Sequence, residues 1–250
     1  MISIDLNNKT ALITGATGEL GRAMARSLAE AGADIIIHYN KNQNKSEELV
    51  SEINEMGCRA INIQADITDK ASIEKMRDQI KEKFTMPNII VTNAVIQYEW
   101  KSVLEQNESD YESQYKSCVM QNVLIAQTFI PHLIENEWGR MIAINTECTM
   151  QCSPNQSAYV SGKRGMDGVL RVLAKEIGKH NITVNQIAPG WTMSENSTDP
   201  QTEFAKKIPL KRRGTAEEVA NVVSFLACDL ASYITGAYIP VCGGNIMPTV

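Results

Sequence analysis

The sequence has no surplus of basic residues, and this absence excludes one broad class of partners. Its 24 lysines and arginines are outnumbered by 29 acidic residues, which leaves a formal net charge of −5. Proteins that bind nucleic acid or an anionic membrane surface present basic patches that complement the phosphates. We therefore expect this chain to bind neither nucleic acid nor a membrane surface.

The sequence also lacks paired cysteines, a leader-like N-terminus and a long apolar run. The six cysteines form no Cys-x-x-Cys pair, and the three histidines lie far apart in the chain. This spacing predicts no metal site and no disulfide framework, and it is typical of reduced thiols in the cytoplasm. No basic segment followed by an apolar one opens the chain, and no apolar run approaches the roughly 20 residues that cross a bilayer. We expect a cytoplasmic protein without a membrane-spanning helix.

What the sequence does contain is a regular alternation of two patterns. Short apolar runs typical of buried strands occur at 11–14, 35–39, 60–64, 89–92, 141–145, 183–188 and 237–241. Stretches with helical spacing occur at 20–31, 46–56, 72–84, 157–179 and 216–228. The alternation predicts one α/β domain over 1–250, a doubly wound parallel sheet of about seven strands with helices on both faces. The polar stretch 192–213 has no strong pattern, and its length predicts a substrate lid.

A glycine-rich turn joins the first predicted strand to the first predicted helix. Glycine lets the backbone turn tightly and approach a pyrophosphate, whose charge then lies at the helix N-terminus. We therefore predict a Rossmann-type site for a dinucleotide. Its phosphate contacts are expected from Gly15, Thr17, Gly18, Glu19, Leu20 and Gly21.

Further motifs follow in an order that is typical of one enzyme family. They are Asp66-Ile67-Thr68-Asp69, Asn93-Ala94, Gly139-Arg140-Met141-Ile142, Tyr159-x-x-x-Lys163, Val184-Asn185, Pro189-Gly190 and Gly243-Gly244. With these motifs the whole chain resembles the short-chain dehydrogenase/reductase family, in particular the branch of 3-oxoacyl-carrier-protein reductases and of sugar or secondary-alcohol dehydrogenases. The resemblance implies a nicotinamide-dependent oxidoreductase that acts on a small carbonyl or alcohol and assembles as a homotetramer or homodimer.

The same resemblance assigns cofactor contacts to residues at the ends of three further strands. They are Asp66 and Ile67 beside the adenine, Asn93 and Ala94 along the cofactor, and Pro189, Gly190 and Thr192 beside the nicotinamide amide.

The catalytic prediction rests on Tyr159 and Lys163. Hydride transfer to a carbonyl leaves an alkoxide that needs a proton, and a phenol with a pKa near 10 is a poor acid–base at neutral pH. A lysine four residues further along one helix shares a face with the tyrosine and would lower its pKa. By resemblance, Lys163 also holds the nicotinamide ribose, and Thr146 stands in the position of a serine that hydrogen-bonds the substrate carbonyl.

Three positions depart from the family pattern. Counting back from Pro131 places Cys118 where the family has an asparagine that holds a relay water, and we interpret this cysteine as a small core residue. Glu19 stands where the middle glycine of the phosphate turn is expected. Val95 replaces a glycine after Asn93-Ala94.

The choice of cofactor depends on the end of the second strand. NAD-preferring members carry an acidic residue there, which binds the ribose hydroxyls. This chain reads Tyr39-Asn40-Lys41, so there is no carboxylate, and Lys41 could contact a 2′-phosphate. We predict NADP, with NAD as the second choice, and contacts from these three residues.

Two other functions remain open on the sequence alone. One is a dinucleotide-binding protein with weak or lost redox activity, which the departures favour. The other is a non-redox reaction at Tyr159, such as dehydration or cyclisation. Retention of Tyr159 and Lys163 favours the oxidoreductase.

Overall fold

The computed structural model describes residues 3–193 and 203–247, and within these ranges seven parallel strands form one sheet in the order β3-β2-β1-β4-β5-β6-β7. The strands are β1 (Thr10–Ile13), β2 (Asp34–Tyr39), β3 (Ala60–Gln64), β4 (Ile89–Thr92), β5 (Gly139–Ile144), β6 (Ile182–Pro189) and β7 (Tyr238–Val241). The order reverses between β1 and β4, which is the topological switch of a doubly wound sheet. The predicted fold class is confirmed.

Helices connect the strands and cover both faces of the sheet. They are α1 (Glu19–Glu30), α2 (Gln43–Glu55), α3 (Lys70–Lys83), α4 (Glu108–Gln114), α5 (Gln121–Glu135), α6 (Cys148–Gln151), α7 (Ser157–Ile177) and α8 (Ala216–Ala227). Helices α1, α2 and α8 pack on one face, and α3, α5 and α7 pack on the other. The predicted helices agree with these bounds to within three residues at each end.

The two apolar layers explain why the strands are continuously apolar rather than alternating. In β1, Ala11 and Ile13 face the layer formed by α1 and α8, whereas Leu12 faces the layer formed by α3, α5 and α7. All three side chains are buried, as expected for a parallel sheet covered on both faces. Each fully buried Leu or Ile contributes about 1.5–3 kcal/mol relative to exposure.

The long helix between β4 and β5 contains a local widening. A π-helix, Tyr115–Met120, joins α4 to α5 and gives a continuous helix from Glu108 to Glu135. This helix is long and apolar enough to cross a membrane by length and composition, but 61% of its most apolar window is buried inside the fold. We therefore interpret it as a core helix. Its bounds and its π turn were not predicted.

The predicted lid lies only partly within the described structure. Residues 194–202 fall outside the described ranges. Trp191, before these residues, stacks on Phe204, after them, with ring centroids 4.5 Å apart, and Ala205 and Ile208 are buried. The role of 192–213 as a lid stays a prediction.

Candidate active site

The predicted phosphate turn has the backbone shape that close approach to a ligand requires. Gly15 lies in the left-handed region with φ of 63°, and Gly18 caps the helix that begins at Glu19. A Cβ on Gly21 would lie 2.4 Å from the Gly15 carbonyl oxygen, so only glycine lets α1 pack this closely on the turn. The glycine spacing therefore forms a tight turn although Glu19 replaces the middle glycine.

The turn is held by His38, whose role was not predicted. Gly15 N–H donates to His38 Nδ1 at 3.0 Å, and Nε2 of the same ring lies 3.0 Å from the Ala65 carbonyl oxygen. Because Nδ1 accepts a hydrogen bond, the proton belongs on Nε2 and the ring is neutral. Burial lowers the pKa of His38 to about 4. The buried histidine thus fixes the phosphate turn to the ends of β2 and β3.

A second set of contacts joins the turn to the end of β4. The Thr14 hydroxyl accepts from the amides of Asn93 and Ala94 at 2.9 and 3.1 Å, and it donates to Gln121 Oε1 at 2.7 Å. The Asn93 amide group donates to the carbonyls of Thr14 and Gly15, both at 3.1 Å. Gln121 Nε2 also donates to the Ala94 carbonyl at 2.9 Å. The predicted Asn93 and Ala94 therefore lie directly beside the phosphate turn.

The predicted adenine and ribose residues lie at the same edge of the sheet. Tyr39 ends β2 and is buried, while Asn40 and Lys41 follow it and are exposed. Asp66 and Ile67 follow β3, where Asp66 Oδ1 accepts from the backbone amide and the hydroxyl of Thr68 at 2.8 and 2.7 Å. Carboxyl ends of parallel strands form the ligand-binding edge of such sheets. The structure brings all five residues to that edge.

The end of β6 closes the site on the other side. The Pro189 carbonyl accepts from the Glu147 amide at 3.0 Å, and the Gly190 amide donates to the Val241 carbonyl at 2.9 Å. A Cβ on Gly190 would lie 2.8 Å from Cys242 Cα, so glycine is required where these loops meet. Thr192 pairs with Gly214 in an isolated bridge.

The three predicted catalytic residues converge next to this edge. Thr146 follows β5, and its Oγ1 accepts from the Cys148 amide at 3.2 Å. Tyr159 and Lys163 lie one turn apart on α7, with Lys163 Nζ 5.8 Å from the centre of the Tyr159 ring. Lys163 is buried, and its Nζ donates to the Ile144 carbonyl at 2.6 Å. The geometry therefore places the Lys163 amino group close to the Tyr159 ring and to the end of β5, where Thr146 follows.

The ionisation of this group differs from the expectation that Lys163 lowers the pKa of Tyr159. Burial raises the pKa of Tyr159 well above its usual value, and a hydrogen bond with the Thr146 side chain opposes that shift only in part. Burial also lowers the pKa of Lys163. Removing water disfavours the charged form of each group, and this desolvation is the largest cause of both shifts. Tyr159 is therefore a neutral phenol at pH 7.

Thr146 and Tyr159 face a cleft of about 220 Å³. Aromatic side chains form much of its wall, and Trp100 stacks on Tyr159 with ring centroids 6.1 Å apart. The Tyr98 hydroxyl accepts from the Tyr159 amide at 2.7 Å and so fixes the start of α7. The cleft also contains Glu147, Cys148 and Trp191. Its volume suits a small substrate whose reacting carbon lies next to the two hydroxyls.

Cys118, at the predicted relay position, lies within the π-helix. Its side chain is buried, and its Sγ is 3.8 Å from Gln114 Oε1. The Cys118 carbonyl accepts from Asn122 Nδ2 at 2.7 Å, and Asn122 Oδ1 accepts from the Thr92 hydroxyl at 2.7 Å. The interpretation of Cys118 as a packed core residue is confirmed. π turns of this kind occur frequently at functional sites.

Comparison with known proteins defines the class. The family model described as enoyl-(acyl carrier protein) reductase matches residues 15–245. The chain is 34% identical to the 3-oxoacyl-[acyl-carrier-protein] reductase FabG of Aquifex aeolicus over 97% of its length and 99% of that protein. It is 32% identical to the enzyme of the same name from Staphylococcus epidermidis, over 96% of this chain and 100% of that one.

Two solved structures share the whole fold. A blue fluorescent protein from a metagenomic library, in complex with NADPH, has a TM-score of 0.89 at 28% identity and covers 97% of this chain and 100% of its own. A promiscuous reductase that catalyses keto-reduction at C1 during lugdunomycin biosynthesis has a TM-score of 0.88 at 29% identity, over 97% and 99%.

These findings and the site together describe a nicotinamide-dependent oxidoreductase on a Rossmann-type sheet. The chain belongs to the short-chain dehydrogenase/reductase family. The predicted family and enzyme class are confirmed. His38, Gln121, Tyr98 and Glu147 were missed, and for Glu147 the sequence held a signal, because a carboxylate directly follows the predicted catalytic Thr146.

Proposed function

We propose that this chain is an NADP-dependent ketoreductase that interconverts a small ketone and its secondary alcohol. The observation that carries the proposal is the convergence of Thr146 and Tyr159 on one cleft, with the buried Lys163 behind them. The relatives named as ketoreductases and the neighbour bound to NADPH support this assignment.

The residues at the sheet edge fit a dinucleotide. Side chains are excluded at Gly15, Gly21 and Gly190 by the close approach of neighbouring atoms, which leaves bare backbone facing the edge. The N-terminus of α1 follows the turn and favours a pyrophosphate. When bound, the nicotinamide group supplies the hydride for reduction or accepts it for oxidation.

The chain's own residues then orient the carbonyl and supply the proton. Thr146 Oγ1 accepts a hydrogen bond from the Cys148 amide and shares one with Tyr159, and with a substrate in the cleft its hydroxyl can donate to and polarise the carbonyl oxygen. Tyr159 is protonated at pH 7 and can donate its proton to the developing alkoxide. Lys163 uses one of its three N–H donors on Ile144, which leaves two for a ribose hydroxyl and for the phenolate that forms.

NADP is the cofactor of choice because the rim beyond β2 lacks a carboxylate. Lys41 is exposed immediately after β2 and offers a charge to a 2′-phosphate. Arg22, in the first turns of α1, donates to the Thr17 carbonyl and adds a second positive charge near the turn. NAD would find no acidic partner at Tyr39.

We propose a homotetramer or homodimer in the cytoplasm. Exposed apolar side chains, Tyr115 on the long helix and Val172 on α7, support self-association through this face. Much of the apolar stretch 123–133 cannot contribute, because Ile125, Phe129 and Leu133 are buried in the chain's own core. Size-exclusion chromatography with light scattering would measure the assembly.

The decisive experiment follows NADPH oxidation at 340 nm over a broad panel of carbonyls. Turnover that depends on a ketone is expected, with NADPH preferred over NADH. Cys118 at the relay position favours the competing function, a binding protein that lacks turnover. Tight NADPH binding without oxidation over the whole panel would support that competitor and reject the reductase.

A further inference from the structure

Glu147 lines the reductase cleft, and its buried carboxyl group has no part in the mechanism. The residue directly follows Thr146 and is only 1% exposed. Its backbone is tied to the end of β6, since its amide donates to the Pro189 carbonyl at 3.0 Å. A Cβ on Gly190 would lie 3.0 Å from Glu147 Oε2. The carboxyl therefore lies between the two segments that border the reacting centre.

The two oxygens of this carboxyl have different surroundings. Oε2 accepts from Asn245 Nδ2 at 3.0 Å. Oε1 is buried and has no hydrogen-bond partner. In the described parts of the chain, no lysine, arginine or histidine forms an ion pair with Glu147. A buried carboxylate that lacks a partner is costly, because the hydration it loses is not replaced.

The rest of the cleft wall favours a ligand that can donate to such an oxygen. The aromatic residues Tyr98, Trp100 and Trp191 line the same space. Aromatic faces attract ammonium groups and pack well against the carbon atoms of small polyfunctional ligands. Burial raises the pKa of Glu147, and a donor from a ligand would favour the ionised form again.

We propose that Glu147 determines substrate specificity by accepting a hydrogen bond from a hydroxyl or protonated amine next to the reacting carbonyl. The inference rests on the proposed ketoreductase function and sharpens it. The substrate class is then an α-hydroxy or α-amino ketone rather than a simple alkyl ketone. The donor pairs with Oε1, whereas a methyl group in the same place leaves that oxygen buried and unpaired.

A purely structural role for Glu147 is the alternative that the experiment must separate. Through Oε2 the residue also anchors Asn245 in the segment that follows β7. Asn245→Ala removes this contact and keeps the carboxyl, so it is a matched control. If anchoring were the whole role, Asn245→Ala and Glu147→Gln would change activity in the same way for every ketone.

The test compares hydroxyacetone, aminoacetone and butanone, which differ only in the group next to the carbonyl. Wild type, Glu147→Gln, Glu147→Leu and Asn245→Ala are assayed with NADPH, and their Tm values confirm folding. Wild type is expected to prefer the two donor-bearing ketones over butanone by about tenfold or more in kcat/KM. Glu147→Leu should abolish the preference, and Glu147→Gln should lose mainly the preference for aminoacetone. Asn245→Ala should keep the wild-type ratio.

A binding measurement keeps the inference independent of turnover. With NADP⁺ present, hydroxyacetone or aminoacetone should raise the Tm of wild type and leave that of Glu147→Leu unchanged. Equal ratios in wild type and Glu147→Leu, or equal Tm shifts, would overturn the role of Glu147 while the reductase stands. Selective Tm shifts without NADPH oxidation in the presence of any carbonyl would reject the reductase and leave the donor site in place.

Discussion

The phosphate turn and the substrate cleft lie at the same sheet edge, but they are built differently. At the turn, Thr14, Gly15 and Asn93 are joined through backbone and side-chain hydrogen bonds, and His38 completes the set. At the cleft, Glu147 keeps a buried oxygen that has no partner. The hydrogen bonds of the turn are complete before a ligand binds, so the turn needs no rearrangement. The unsatisfied acceptor in the cleft gains a hydrogen bond only when a ligand supplies a donor.

This difference separates cofactor binding, which every substrate requires, from substrate recognition, which differs from one substrate to another. The turn is made mostly of backbone atoms, whose positions depend on glycines and on the neighbouring strands. The cleft is made largely of side chains, and Val95, which departs from the family pattern, is one of them. We expect changes at the turn to affect cofactor binding for every substrate, and changes in the cleft to affect one substrate relative to another.

The largest expected effect tests the cleft. Tyr159→Phe keeps the ring and its stacking on Trp100 but removes the proton donor, so turnover should fall by at least about a hundredfold. That loss corresponds to roughly 3 kcal/mol of transition-state stabilisation. NADPH affinity should change little, because Lys163 remains. Steady-state rates and cofactor titrations on both proteins measure the two quantities.

Tyr111→Phe is the matched control for that change. It removes a phenol hydroxyl that contacts Ser157 Oγ at 2.7 Å, outside the group of Thr146, Tyr159 and Lys163. Nearly full turnover is expected from this control. A Tyr159→Phe variant that kept the wild-type rate would show that another group delivers the proton.

The next effect tests the turn through the pH dependence of stability. The pKa of His38 falls from 6.5 to about 4 on folding, so the unfolded chain binds the proton more tightly. Its contribution to stability is complete above about pH 6.5 and is lost as the pH falls towards 4, by about 3 kcal/mol in total. Urea unfolding at a series of pH values would measure this loss.

His38→Asn should remove this part of the acid sensitivity, because asparagine offers an acceptor to the Gly15 amide and does not titrate. His180→Asn, which removes a histidine in the short turn after α7 and keeps His38, should retain the loss of stability that His38 causes. Parallel profiles for wild type and His38→Asn between pH 6.5 and 4 would contradict the proposed neutral state.

A smaller effect is expected at Lys41, which follows β2 at the same sheet edge as the phosphate turn. Lys41→Ala should weaken the binding of NADPH by about tenfold, which is the scale of one charge-assisted hydrogen bond. The affinity for NADH should stay unchanged. Lys45→Ala, an exposed lysine within α2, makes the same change in net charge and should affect neither cofactor. Fluorescence titration of both cofactors checks this, and tighter binding of NADH than NADPH by the wild type would defeat the prediction.

The smallest expected effect concerns the π-helix. If the lack of an amide at the relay position limits proton supply, Cys118→Asn should raise turnover, by roughly tenfold or less. Cys118 is buried, so the larger asparagine must be accommodated by its neighbours. Cys118→Ser, which hardly changes the size of the side chain, is the control. An unchanged or lower rate in a folded Cys118→Asn variant would show that Cys118 serves packing alone.

Local patterns in the sequence were sufficient for the seven strands and for the five helices that were predicted, but not for the long helix between β4 and β5. The strands at 35–39 and 89–92 were predicted because both faces of a parallel sheet are buried, so most positions in them are apolar. The glycine turn was predicted because its shape depends on backbone conformation that only a few residue types permit. The i, i+4 spacing of Tyr159 and Lys163 placed both on one helix face.

Contacts between distant parts of the chain were decided only by the tertiary structure. The hydrogen bond from Gly15 to His38 spans 23 positions, and the one from Asn245 to Glu147 spans 98. The neutral state of Tyr159 depends on how much water the folded chain removes from it, which no spacing reveals. Periodicity reports which face of an element is buried, whereas pairing and desolvation depend on which elements the fold brings together.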